Sequence, residues 1–95
     1  MPKLQIIRPD GSQADHELTE EVVTIGRAPD TVFQIDDVSV SSRHAEITAS
    51  RDGYILKDLG STNGTYLNEE PLGGPQPLHP GDRIRIGDSE FSYLQ

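Results

Sequence analysis

The 95-residue chain is predicted to be all-β, a sandwich of short strands closed by tight turns. Three observations predict this. Apolar residues alternate with polar ones at a period of two in several short runs, which is the mark of half-buried strands. Nine glycines and seven prolines punctuate the chain, and no long stripe of 3.6-residue period survives between them. The intervening turns are short and built from turn-forming residues, as in "PDGS", "RDG", "GSTNG" and "PGD".

The elements follow in order. "KLQII" (3–7) sets Leu4 and Ile6 against Lys3 and Gln5. "VVTIG" (22–26) and "FQI" (33–35) are the next strand candidates. In "HAEITAS" (44–50), Ala45, Ile47 and Ala49 alternate with Glu46 and Thr48. "GYILKD" (53–58) follows across the turn "RDG", and "TYL" (65–67) across "GSTNG". "DRIRIGD" (82–88) sets Ile84 and Ile86 against Arg83 and Arg85, and "SEFSYL" (89–94) is the last strand. Residues 68–80, "NEEPLGGPQPLHP", hold four of the seven prolines and read as one long, irregular, exposed loop. No internal repeat or linker interrupts the pattern, so residues 1–95 are expected to form a single domain.

Composition narrows the function. Sixteen acidic and eight basic residues leave a net charge of −8. Nucleic acid and anionic membranes demand a basic surface and are excluded as general partners. One small anion in a local basic pocket remains compatible, because distant exposed charges are screened within about 8–10 Å at ordinary salt. There is no cysteine, hence no disulfide and no thiolate metal site. No apolar run approaches the roughly 18 residues of a membrane span. "MPKLQIIRPDG" does not have the pattern of a signal peptide. The expectation is a soluble cytoplasmic domain.

Two polar stretches stand out, "SVSSRHAEI" (39–47) and "LGSTNGTYLN" (59–68). A serine nucleophile would need a base and a third group orienting that base. Ser41 and His44 are three apart, but no Gly-x-Ser-x-Gly elbow accompanies them, and "GDS" (87–89) lies between two strands. The chain is therefore expected not to be an enzyme. His16, His44 and His79 have no metal-ligand spacing, and "DD" (36–37) lacks the alternating ligands of a calcium loop. Neither a metal nor a cofactor is expected. "NGT" (63–65) matches a glycosylation pattern only by chance.

An anion site explains the same residues better. A phosphate dianion wants an arginine fork, hydroxyls and freed backbone amides. Arg27 follows Gly26 at the end of a strand, Ser41 and Ser42 offer hydroxyls, and Arg43 a second cation. Thr62 and Asn63 lie in the turn "GSTNG". Residues 38–45 and 59–68 contain no acid, in a chain with twice as many acids as bases. Each piece also has an ordinary explanation. Asn-Gly is a common turn dipeptide, turn hydroxyls often bond their own backbone, and an arginine after a strand is commonly solvated.

The pieces in order resemble the forkhead-associated (FHA) domain. They are Gly26-Arg27, Ser41-Ser42-Arg43-His44, Ser61-Thr62-Asn63-Gly64-Thr65 and "GDRIRIG" (81–87), and the likeness runs from "LTEEVVTIGR" to "EFSYL". The resemblance implies an antiparallel β-sandwich of about eleven strands whose apical loops bind a phosphothreonine peptide. It implies that Arg27 and Ser41 hold the phosphate, and that Thr62 adds to the phosphate and γ-methyl pocket. Ser42 and Asn63 would bond the peptide backbone, and Arg43 would add charge. Gly26, His44 and Gly64 would shape and brace the loops. The implied partner is a phosphothreonine-containing protein, a Ser/Thr kinase or its substrate, in bacterial signalling.

Two departures from the family pattern are visible. After the Asn-Gly-Thr block the family often has "VNG", whereas this chain has "LNEE", whose Glu69 and Glu70 would repel an acidic peptide. The loop before Ser41, which in the family selects a residue beyond the phosphothreonine, reads "DDVSV". The alternative reading is a phosphate-independent assembly module of the same fold.

Overall fold

The computed structural model describes residues 2–95. Eleven strands form the domain: β1 (Lys3–Ile7), β2 (Gln13–Glu17), β3 (Val22–Gly26), β4 (Phe33–Gln34), β5 (Ala45–Ser50), β6 (Gly53–Asp58), β7 (Tyr66–Leu67), β8 (Glu70–Pro71), β9 (Gln76–Pro77), β10 (Arg83–Ile86) and β11 (Ser89–Leu94). One sheet has the order β2-β1-β11-β10-β7-β8, the other β4-β3-β5-β6-β9. The period-two pattern explains the layering. Leu4, Ile6, Ile84, Ile86, Phe91 and Tyr93 face inward from the first sheet, and Val23, Ile25, Ala45, Ile47 and Leu56 from the second, all essentially inaccessible to water. Phe33 of one sheet meets Phe91 of the other edge to face, with ring centroids 5.3 Å apart.

The structure corrects the sequence reading at four places. A strand β2 pairs with β1 along its whole length, from Lys3↔Glu17 to Ile7↔Gln13. Its residues "QADHE" are polar because it is an edge strand that covers little core. The segment 68–80 is not one irregular loop. β8 pairs with β7 and β9 with β6, and Leu78 is buried while Leu72 packs against the core. Pro71 and Pro77 are tolerated because both strands lie at sheet edges, where a missing N–H breaks no ladder. The β3–β4 pair is parallel, Ile25↔Phe33, while all the other strand pairs are antiparallel. Ala49 is exposed, because β5 runs out beyond the core before its turn.

Candidate functional site

The hollow at one end of the sandwich is built from three chain segments that leave strand ends. Gly26 closes β3 and packs against the backbone of Ser41 and Ser42. A β-carbon at Gly26 would lie 2.2 Å from the Ser42 carbonyl oxygen, so only glycine fits. That close approach lets the Arg27 and Ala28 amides donate to the Ser41 and Ser42 carbonyls, both at 3.0 Å. The Arg27 side chain is thereby launched from a fixed backbone into solvent at the rim, where it is exposed.

His44 joins the second segment to the third. It is fully buried. The Ser41 amide donates to Nδ1 at 3.1 Å, so the imidazole carries its proton on Nε2 and donates it to the Gly64 carbonyl, 2.8 Å away. Gly64 has φ 84°, a conformation that favours glycine. The turn that delivers Thr62 and Asn63 is set by Asp58. Its Oδ2 accepts the Gly60 and Ser61 amides at 3.0 Å, and its Oδ1 accepts the Ser61 and Thr65 hydroxyls. Ser61 Oγ in turn accepts the Gly64 amide. Burial pushes the Asp58 carboxyl up, but the hydrogen bonds from Ser61, Thr65 and Gly60 outweigh it and hold the group below its ordinary value.

Arg27, Ser41, Ser42, Thr62 and Asn63 line one hollow, together with Val38, Ser39 and Val40. No acidic side chain lines it. Ser41 Oγ accepts the Thr62 amide at 3.1 Å, which leaves the hydroxyl proton free to donate outward. Asn63 Nδ2 donates to the Ser39 carbonyl at 2.7 Å, leaving its second N–H and its carbonyl unspent. Arg43 is not brought into the hollow. Its guanidinium lies 2.6 Å from Asp30, and that pair is mostly exposed.

Two participants escape a reading by residue type. Asp58 shapes the loop from below, and its signal is the Asp-x-x-Ser spacing of a side-chain-stabilised turn, Asp58 to Ser61. Asp37 fixes the approach to Ser41. It accepts the Ser39 amide and hydroxyl and the Asp88 amide, which together with the Arg27 charge hold its carboxyl low.

The model of the family described as FHA domain matches residues 23–87. The oxoglutarate dehydrogenase inhibitor of Corynebacterium jeikeium (strain K411) is 44% identical over 77 residues, covering 81% of this chain and 53% of its own length. The chain spans about half the length of the curated dehydrogenase inhibitors it matches. Among solved structures, the FHA domain of FhaA, complexed with the intracellular domain of Rv3910, superposes with a TM-score of 0.87 at 40% identity over 98% of this chain and 99% of the other. FhaA is a protein of Mycobacterium tuberculosis. A chain solved in a structural and functional analysis of phosphothreonine-dependent FHA domain interactions gives 0.85 at 38% identity, over 98% of this chain and 96% of that one.

Proposed function

This chain belongs to the FHA domain family, and from that premise we propose that residues 1–95 form a single, non-enzymatic receptor for phosphothreonine peptides. The observation that carries the reading is the lining of the hollow: an arginine, hydroxyls and an amide with no carboxylate, in a chain of net charge −8. Arg27 supplies the fork for the phosphate, and Ser41 and Ser42 donate hydroxyl protons. Thr62 and Val40 wall the space beside the phosphate, where a γ-methyl would rest. Burying that methyl is worth about 0.8 kcal/mol, or about fourfold in affinity for phosphothreonine over phosphoserine. Asn63 holds the peptide main chain with its unspent amide. Arg43 remains a rim charge balanced by Asp30.

The partner is a protein marked by a Ser/Thr kinase, or the kinase itself, in a bacterial cytoplasm. Relatives named as inhibitors support a role in protein–protein regulation and not in catalysis.

The test is calorimetry with matched phosphothreonine, phosphoserine and unphosphorylated peptides, on the 95-residue chain and on Arg27→Ala. Removing one charge-assisted contact should cost about 1.5–3 kcal/mol, or roughly 10- to 150-fold in Kd. Equal affinity for phosphorylated and unphosphorylated peptide would overturn the reading, and would favour an assembly module that binds independently of Arg27.

A further inference from the structure

The chain has two asparagines, Asn63 and Asn68, in opposite chemical circumstances. Asn63 is followed by Gly64, and Asn68 by Glu69. An asparagine loses its side-chain amide when the next backbone nitrogen attacks its Cγ, and a glycine there leaves that attack unhindered. Asn63 is also exposed, in the lining of the donor hollow. Asn68 has both ends of its amide engaged. Its Oδ1 accepts the Arg83 amide and its Nδ2 donates to Asp82, both at 3.0 Å. At Asn63 only Nδ2 is engaged, with one proton on the Ser39 carbonyl.

The attack needs the Gly64 nitrogen to give its proton to a base in the solvent. The nitrogen then bonds to Asn63 Cγ, the Cγ–Nδ2 bond breaks, and the amide nitrogen leaves as ammonia with a proton regained from solvent. Water opens the resulting cyclic imide at either carbonyl, leaving aspartate or isoaspartate at position 63. The net change consumes a water and releases an ammonia, and nothing is oxidised. The folded turn works against these steps. The Gly64 N–H donates to Ser61 Oγ at 3.0 Å, and that hydroxyl is itself anchored on Asp58. The departing nitrogen is tied to the Ser39 carbonyl at 2.7 Å. His44 pins the Gly64 carbonyl at 2.8 Å. The reaction therefore starts from a turn that has opened, and these bonds set how often it opens.

The product matters because of where it stands. No acidic side chain lines the hollow. A carboxylate at position 63 would be the first, in the same hollow as Arg27, and would compete with a phosphate for that guanidinium. It would also remove the amide donors, including the one that reaches Ser39. Resting on the reading of the hollow as a phosphothreonine receptor, we propose that Asn63 is a spontaneous deamidation site whose conversion closes the receptor. The bonds from Gly64 to Ser61 and from Asn63 to Ser39 hold the reaction back. A bound phosphopeptide, gripped by the unspent half of the Asn63 amide, holds it back further. Empty receptors therefore expire while occupied ones persist.

The experiment incubates the full 95-residue chain in mildly alkaline buffer, alone, with a phosphothreonine peptide, or with the same peptide unphosphorylated. Mass spectrometry with peptide mapping follows conversion at positions 63 and 68. Ser61→Ala, at a temperature where its melting curve shows it folded, and the parent in urea run in parallel. Should Ser61→Ala not fold, the parent arms decide alone. Asn63 should convert faster than Asn68 in the folded parent, about two- to tenfold faster again in Ser61→Ala, and fastest in urea. Phosphopeptide at about ten times its Kd should slow the folded parent about tenfold, because the turn opens only after release. Asn63→Asp, folded by its melting curve, should bind the phosphopeptide about tenfold more weakly or worse in fluorescence anisotropy. Four results each overturn the proposal and leave the receptor standing. They are conversion at Asn63 no faster than at Asn68 in the folded parent, an unchanged rate in folded Ser61→Ala, a rate unmoved by bound phosphopeptide, and parent-like binding by Asn63→Asp. A fresh parent that does not distinguish phosphorylated from unphosphorylated peptide overturns the receptor and the switch together.

Discussion

His44 accepts the Ser41 amide and donates to the Gly64 carbonyl from a wholly buried position, so it ties together the two loops that carry the hydroxyls and the amide of the hollow. His44→Ala would strand both backbone groups away from water and leave a void. Each stranded group costs about 1–3 kcal/mol, so a total loss of about 3–5 kcal/mol is expected in urea denaturation. Asp58 does the same work from beneath. Its carboxyl is held below the ordinary 3.8, so as pH falls the unfolded chain takes up this proton before the folded one does. The stability contributed by the carboxylate is therefore whole above about pH 4 and is lost as pH drops through the folded value. Asp58→Asn should be less stable than the parent by about 1–3 kcal/mol at neutral pH, and the gap should close below about pH 4 in parallel denaturation curves. These two residues also mark what was legible at this scale. Ser41, Ser42, Thr62 and Asn63 could be picked out because donors gathered in acid-free stretches are rare in so acidic a chain, and Arg27 because it follows Gly26 at a strand end. Asp58 could not, because it is itself an acid and works through the turn behind the donors. The withdrawal of Arg43 was hidden too, since its partner Asp30 is thirteen residues away and only the fold brings them together.

At the scale of elements, the strands that alternate apolar and polar residues were readable, and those that do not were missed. β10 is the clear case: Ile84 and Ile86 are buried, Arg83 and Arg85 exposed. β2 is held by backbone pairing with β1 and buries none of its own side chains fully, so hydropathy carries almost no trace of it. β8 and β9 are two residues each, one period of the strand pattern and too short for an alternation to repeat. The β7–β8 hairpin shows how such a short element is nevertheless fixed. Leu67 pairs with Glu70 across a two-residue loop, and Asn68 and Glu69 both have positive φ, 52° and 70°. Both signs are required by the turn whose twist matches the flanking strands. Asn68 suits it, and its side chain also accepts the Arg83 amide and donates to Asp82. Glu69 does not, because a β-carbon in this region is strained by about 1–2 kcal/mol. Glu69→Gly should therefore raise stability by about 0.5–1 kcal/mol, the relief of strain being partly offset by the extra freedom of glycine in the unfolded chain. A rise in the urea midpoint at unchanged slope would show it. A fall would mean that Glu69 makes a stabilising interaction that outweighs its backbone strain.

At the scale of the whole molecule, the field of the protein and the field of the hollow have opposite signs. The net charge of −8 is spread over a body with extents of 34 × 28 × 26 Å, while the donors line a single hollow together with Arg27. Which field an approaching phosphopeptide feels depends on salt. At about 0.01 M the screening length is ~30 Å, comparable with the whole domain, and at 0.15 M it is ~8 Å, comparable with the hollow alone. A phosphothreonine peptide with neutral flanks carries about two negative charges at pH 7. It should thus be repelled at low salt by acids that it never touches, and admitted more readily once those acids are screened. Stopped-flow association rates are expected to rise between about 0.01 and 0.15 M salt, the reverse of the fall seen when oppositely charged partners steer each other. The dissociation rate should change in the other sense to the affinity of the local contacts, rising with salt as the Arg27–phosphate attraction is screened. A steady fall in association rate over the same range would show that Arg27 and its neighbours dominate the field well beyond the hollow. The acids on the rest of the surface would then be too distant or too well paired to govern encounter.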